Sequence, residues 1–174
     1  NRNVVPGMLQ TSAYAKAIYG AGRRIIDPKV KDSRATAGRL KRQELLRKDN
    51  PLQFHALIDE VAIRRVVGGP ETMAEAMTAL RDMALLDNVT VQVVPFKAGA
   101  YGPMSGSFAI LSYPEPDPAT VYCEFEGSGE WVDEPDDVTQ YKLIFEDVAS
   151  SELVLSPAES IALIESRIRE LEGR

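Results

Sequence analysis

Two short apolar runs, Leu52–Ile58 and Val89–Val94, flank a helical stretch, and this spacing constrains the fold more than any other feature of the chain. Both runs are rich in β-branched or aromatic residues and are bounded by turn residues, as strands are. Between them Gly69-Pro70 opens a helix whose Met73, Met77, Leu80 and Ala84 share one face. A strand, helix and strand in that order close as a right-handed crossover, so the two strands are expected to run parallel.

The remaining elements follow from the same periodicities. Thr11 or Ser12 caps a short helix through Tyr19, with Tyr14, Ala15 and Ile18 on one face and Gly20 and Gly22 ending it. Asp27-Pro28 starts a longer helix with Val30, Ala37, Leu40 and Leu45 on a narrow apolar stripe. Ser107–Ser112 and Thr120–Phe125 read as neighbouring antiparallel strands. They are separated by the prolines of Pro114–Pro118, which cannot donate to a ladder. Glu134-Pro135 begins a helix buried through Val138, Tyr141, Phe145 and Val148. Ser156-Pro157-Ala158-Glu159 is a capping box leading into Ile161, Ile164, Ile168 and Leu171. The expected fold class is α/β (mixed α+β). It has a mixed sheet of about four strands in the order α-α-β-α-β-β-β-α-α, packed by helices.

At 174 residues the chain suits one domain, here a basic N-terminal helical segment (1–48) joined to an α/β body (49–174). The charge is unevenly spread. Residues 1–48 carry twelve basic against three acidic residues, whereas 49–174 carry eight against 23. Such asymmetry raises the question of a polyanionic partner. The basic helices lack interleaved aromatics and a reading helix, so sequence-specific DNA recognition by this segment is not expected. A match between the basic and acidic parts, within one chain or across a homodimer, accounts for the charge equally well. Residues 115–137 hold nine acidic residues, no basic one, and Trp131 in the middle, a face suited to a basic protein partner or a solvated rim.

Several chemistries are excluded. One cysteine, Cys123, forbids an internal disulfide and makes a reducing cytoplasm the default. One histidine, His55, rules out the two-histidine metal motifs. No P-loop, dinucleotide fingerprint or nucleophile elbow is present, so neither a cofactor nor an enzymatic activity is expected. No apolar run approaches the roughly 18 residues of a membrane span.

The candidate site residues gather at strand ends and in one loop. Asp59 and Glu60 end the first strand, where α/β sheets border binding crevices. The competing reading makes them an ion pair with Arg64 or Arg65 or the cap of a short turn. The loop Phe96–Ser107 carries Gly99, Gly102 and Gly106 and exposes Tyr101, in the manner of partner-binding loops. A pocket near Asp59, Tyr101 and Tyr122 would hold a small ligand. His55, on the strand face opposite Phe54, Ala56 and Ile58, reads as a structural histidine satisfied by a neighbouring group.

Five blocks in order resemble a known family. They are Val5-Pro6-Gly7-Met8-Leu9-Gln10-Thr11 with Tyr14-Ala15; Arg39-Leu40-Lys41-Arg42-Gln43; Ile58–Arg65 with Gly68-Gly69; Asn88–Phe96 with Ala98-Gly99-Ala100; and Val121-Tyr122-Cys123-Glu124. Together they resemble the C-terminal domain of unknown function of actinobacterial XRE-type (Cro/repressor-like) helix-turn-helix transcriptional regulators, some of them antitoxin-like. The resemblance implies an accessory domain for regulation, dimerisation or capture of a small protein partner encoded nearby. DNA binding would belong to a helix-turn-helix domain ahead of Asn1. No catalytic residue transfers. The partner-facing residues expected on this reading are Asp59, Glu60, Arg64, Arg65, Gly99, Tyr101, Gly102, Tyr122, Glu124 and Trp131.

Overall fold

The computed structural model describes residues 3–21, 32–102, 106–125 and 128–173. Among the described residues six helices and five strands follow one another as α1 (Ser12–Ala21), α2 (Asp32–Gln43), β1 (Phe54–Asp59), α3 (Glu60–Arg64), α4 (Pro70–Ala84), β2 (Val89–Val94), β3 (Ser107–Leu111), β4 (Thr120–Phe125), β5 (Ser128–Val132), α5 (Pro135–Ser150) and α6 (Pro157–Leu171). The chain is a mixed α/β protein, as the pattern of apolar spacing predicts.

The strands do not form one mixed sheet. β1 and β2 make a two-stranded parallel sheet, and β3, β4 and β5 make a separate antiparallel one. The parallel pair is in register from Phe54 opposite Val89 to Asp59 opposite Val94, which is the crossover expected of the β-α-β unit. At Val93 the outer edge of β2 is met by chain segments rather than by a strand: Leu155 donates its amide to the Val93 carbonyl at 2.9 Å, and the Ser160 hydroxyl accepts from the Val93 amide at 2.9 Å. Among the described residues β3 pairs with β4 alone.

The main core lies between the parallel sheet and the helices. Met73, Met77 and Leu80 of α4, Val91 and Val93 of β2, and Ile164 of α6 are fully buried there. Val5, Leu9, Tyr14 and Leu46 join the same cluster, so the N-terminal segment is built into the core of the body. The capping box at Ser156 and Glu159 is formed as the sequence predicts, with Glu159 accepting from both the Ser156 amide and hydroxyl. Those bonds hold the Glu159 carboxyl below its usual range.

The helix expected from Asp27 is described over Asp32–Gln43, and Asp27 itself lies outside the described residues. Two other local expectations are corrected. The apolar stripe ends differently, because Glu44–Arg47 tighten into a 3-10 turn that rotates Leu46 into the core and leaves Leu40 and Leu45 exposed. The acidic stretch around Trp131 contains a strand, β5, paired with β4 from Val121 opposite Val132 to Phe125 opposite Ser128.

Candidate functional site

A cleft of about 690 Å³ opens between the two sheets. One wall is β1 from Gln53 to Leu57, with Asp59 and Val94 at its end. The facing wall is β3 with Tyr122 and Glu124 of β4. Lys142, Phe145 and Glu146 of α5 line its floor, and Pro6, Gly7 and Met8 line it as well.

His55 is set into the first wall by a chain of fixed contacts. Gln92, which lies opposite Leu57 on β2 and is buried, donates its side-chain amide to the Ala149 and Leu155 carbonyls, both at 3.3 Å. The amide oxygen is thereby turned to the His55 Nε2, 2.7 Å away. In the neutral ring Nε2 must then carry the proton, and Nδ1 is left as an acceptor. The Phe145 ring meets the imidazole edge-on at 5.0 Å. The structural reading of His55 holds, since Gln92 satisfies it, yet the same residue lines the cleft.

Asp59 and Glu60 are committed to shaping the cleft wall. Asp59 caps α3 by accepting from the Val61 amide at 2.9 Å, and its other oxygen accepts from the Tyr101 hydroxyl at 2.9 Å. The cap starts a helix of only five residues at the strand end, and the tyrosine pins the loop after β2 against it. Glu60, buried, accepts from the Phe96 amide at 2.9 Å and pairs with the Arg64 guanidinium at 3.0 Å. The cap and ion-pair reading of these carboxylates is what the geometry shows.

Arg64 also reaches Glu170 of α6 at 2.9 Å. Arg167 donates to the Ile63 and Arg64 carbonyls at 3.2 and 3.0 Å, closing the carbonyl end of α3, and meets Glu170 at 2.9 Å. The hydrogen bond that Arg64 donates to Glu60, with help from Glu170, raises the Arg64 pKa above its ordinary value. Arg167 first, then Arg64, hold the Glu170 carboxyl below its usual value.

On the facing wall the Tyr122 ring packs at a 50° tilt against Trp131, with centroids 4.9 Å apart. Gly129 lies beneath that tyrosine, and a Cβ there would overlap its hydroxyl. Cys123, on the opposite face of β4, is buried against Val138 and donates to the Tyr141 hydroxyl at 3.3 Å. That bond raises the Tyr141 pKa.

Of the ten residues singled out by sequence, the structure brings Asp59, Tyr101, Tyr122 and Glu124 to the cleft. Trp131 stands behind Tyr122 and is exposed. Glu60 and Arg64 sit behind the wall and position it. Arg65, Gly102 and Gly99 do not line the cleft; Arg65 and Gly102 are exposed, and Gly99 closes the 3-10 turn Phe96–Ala98 at φ 68°. Sequence reasoning missed the floor, because Phe145 reads as a core position of α5 and Lys142 and Glu146 as its solvated face. Nothing in single-residue pattern marks them as one site.

The cleft's ionisable lining is Asp59, Glu124, Glu146, Lys142 and His55, so carboxylates outnumber the lone lysine. Such a rim repels polyanions and favours cationic groups. No cluster of three or more His, Cys, Asp or Glu suited to a metal ion occurs among the described residues. No helix among them is long and apolar enough to cross a membrane.

With this geometry in place, comparison with known proteins gives one match, to the family described as Domain of unknown function (DUF5753), over residues 1–166. The chain belongs to that family. Neither a curated protein nor a solved structure matches it. The family match runs through Pro6–Met8, both walls and the floor of the cleft, so the whole cleft is part of the DUF5753 unit.

Proposed function

We propose that this DUF5753 chain is the partner-binding, regulatory part of a helix-turn-helix transcriptional regulator. In this reading the cleft between the sheets captures a small protein partner and thereby changes DNA binding by a domain joined ahead of Asn1. One observation carries the proposal: the cleft between the two sheets is also lined by Pro6, Gly7 and Met8. An occupant touching those residues acts on the segment through which an N-terminal domain would be joined. Val5 and Leu9, which flank it, are buried in the main core, so the segment is joined directly to the body of the domain. The five-block resemblance to XRE-type regulators supports the same reading, and the acidic rim supports assigning DNA contact to another domain.

A ligand alters DNA affinity only if it binds two states of the regulator unequally. The experiment is therefore a linkage measurement. The natural gene, read upstream of Asn1, is expressed whole, and its operator affinity is titrated with and without the product of the neighbouring gene. The expected change is roughly 5- to 150-fold, the usual span of an allosteric coupling. An upstream sequence without a helix-turn-helix, or an operator affinity blind to the neighbour, overturns the reading.

A second reading rests on the cleft volume. Sites for small ligands span roughly 300–1,000 Å³ with aromatic walls and a few polar groups. At about 690 Å³, with Phe108, Tyr122 and Phe145 beside His55 and Asp59, the cleft also fits a small-molecule effector. Native mass spectrometry of the protein purified from its host, finding a retained metabolite, would favour that class over a protein partner.

A further inference from the structure

The free edge of β1 says in what form a protein partner enters the cleft. In a parallel pair, alternate residues of a strand bond to the neighbour. The Phe54 amide bonds to the Asn88 carbonyl at 2.9 Å, which sets the phase: Phe54, Ala56 and Ile58 bond towards β2. The amides and carbonyls of His55 and Leu57 therefore point the other way, into the cleft. Among the described residues they have no hydrogen-bond partner. The opposite edge of the sheet is met at Val93 by Leu155 and Ser160.

The lining itself shows the same orientation. A strand that borders a cavity with one face contributes alternate residues. Here Gln53, Phe54, His55, Ala56 and Leu57 line it without a break, as does Gly106–Ile110 on the facing wall. Both strands thus meet the cleft edge-on. Exposed edges are normally blunted by charge, proline or a bulge. The free run of β1 carries none of these before Asp59.

We propose that the occupant is an extended segment of the partner protein that adds as a strand along the free edge of β1, with a basic side chain facing Glu124 and Glu146. This proposal rests on the partner-capture reading above and specifies its chemistry. The six residues of β1 offer about 20 Å of ladder. Main-chain bonds supply affinity, and the acidic lining supplies the choice of a cationic residue.

The test pans a random peptide library against the whole chain, then measures the recovered peptides in solution. Enrichment of β-branched, extended sequences with a central Lys or Arg is expected. N-methylation of each alternate peptide amide facing β1 should weaken binding roughly tenfold. The E124K/E146K variant, altered only at exposed positions, should also bind more weakly. On binding, the His55 and Leu57 amides should gain protection from hydrogen exchange.

Peptides that bind equally well when N-methylated overturn strand addition but leave partner capture standing. A library that yields no binder, while the neighbouring gene product still binds elsewhere, has the same effect. A concentration-dependent dimer that protects the same two amides overturns it in favour of a second copy of this chain. If neither peptide nor neighbour binds and a retained metabolite fills the cleft, the partner-capture reading itself fails.

Discussion

Replacing Gly68 by alanine should cost far more than replacing its neighbour Gly69, although both glycines lie in the left-handed region. Gly68 has φ 72° and Gly69 has φ 93°. Either alanine suffers the backbone penalty of that region, roughly 1–2 kcal/mol. The two differ in what the new methyl group meets. At Gly69 no atom lies within 4 Å. At Gly68 the Cβ would sit 2.8 Å from the Ala17 Cβ on α1 and 2.9 Å from the Thr72 Cγ2 on α4. Neither neighbour is the flexible end of a long side chain, so α1 must move from α4, an overpacking cost of about 1–3 kcal/mol. Gly68→Ala should therefore lose about 2–5 kcal/mol in all, and Gly69→Ala only the backbone share. Urea unfolding monitored by circular dichroism gives both values, and the slope checks that the transition stays two-state. Thr72→Ser, which removes the clashing methyl, should recover part of the loss in the Gly68→Ala background. Equal costs at the two glycines, or strict additivity of the Gly68→Ala and Thr72→Ser changes, would refute the packing argument.

Other outcomes follow from the site. Asp59→Ala removes the α3 cap and the Tyr101 tether together and should destabilise by about 1–3 kcal/mol, whereas Tyr101→Phe removes only the tether and should cost about 1 kcal/mol; thermal melts of both variants decide. Trp131 is the single tryptophan, so its fluorescence should report occupancy of the cleft through the adjoining Tyr122, and Tyr122→Leu should abolish that response without unfolding the protein. Glu170 has a folded pKa below its unfolded one, so its contribution to stability is present above about pH 4.5 and is lost as pH falls through the folded value. Glu170→Gln should accordingly flatten the acid limb of a stability–pH profile and leave the profile's shape above pH 6 unchanged.

The elements legible in the sequence were those whose stability comes from a periodic apolar face. β2 and β4 begin and end where their β-branched runs do, and α4 and α6 carry buried residues at the helical spacing that marks them. The elements hidden from the sequence are held by partners distant in the chain. α3 is five residues long and stands on the Asp59 cap and on Arg167, more than a hundred positions away. β5 begins Ser128-Gly129-Glu130, with no apolar alternation; it forms because β4 supplies its ladder and Tyr122 packs against Trp131 across the pair. The separation into two sheets was hidden as well, since the spacing of strands along the chain does not say which of them share a sheet. At the site, residue type pointed to Asp59, Tyr101, Tyr122 and Glu124. It did not reveal that His55, satisfied by Gln92, faces the same space, because a structural role and a lining role leave one pattern.

The five blocks that carry the family resemblance make contacts that give them a physical role. The first two meet each other: Gln43 donates to the Gln10 carbonyl at 2.7 Å, and the Arg39 side chain lies 3.4 Å from where a Cβ at Gly7 would be, with its guanidinium over the Tyr19 ring. The third and fourth meet through Glu60 and the Phe96 amide. The fourth also ties down the end of the basic segment, because Asn88 donates to the Leu46 and Leu52 carbonyls at 3.2 and 2.8 Å. The fifth supplies Tyr122 and Glu124 to the cleft. Four blocks thus build a rigid frame from the chain start to the end of β2, and the fifth presents the facing wall. An occupant between the walls touches Pro6–Met8 on one side and Tyr122 on the other, so it must either fit the frame or shift the first block against Arg39 and Gln43. That shift is the step by which filling the cleft would reach a domain ahead of Asn1. Arg39→Ala and Gln43→Ala, which release the first block without entering the cleft, should therefore reduce the effect of a partner on DNA affinity more than they reduce its binding.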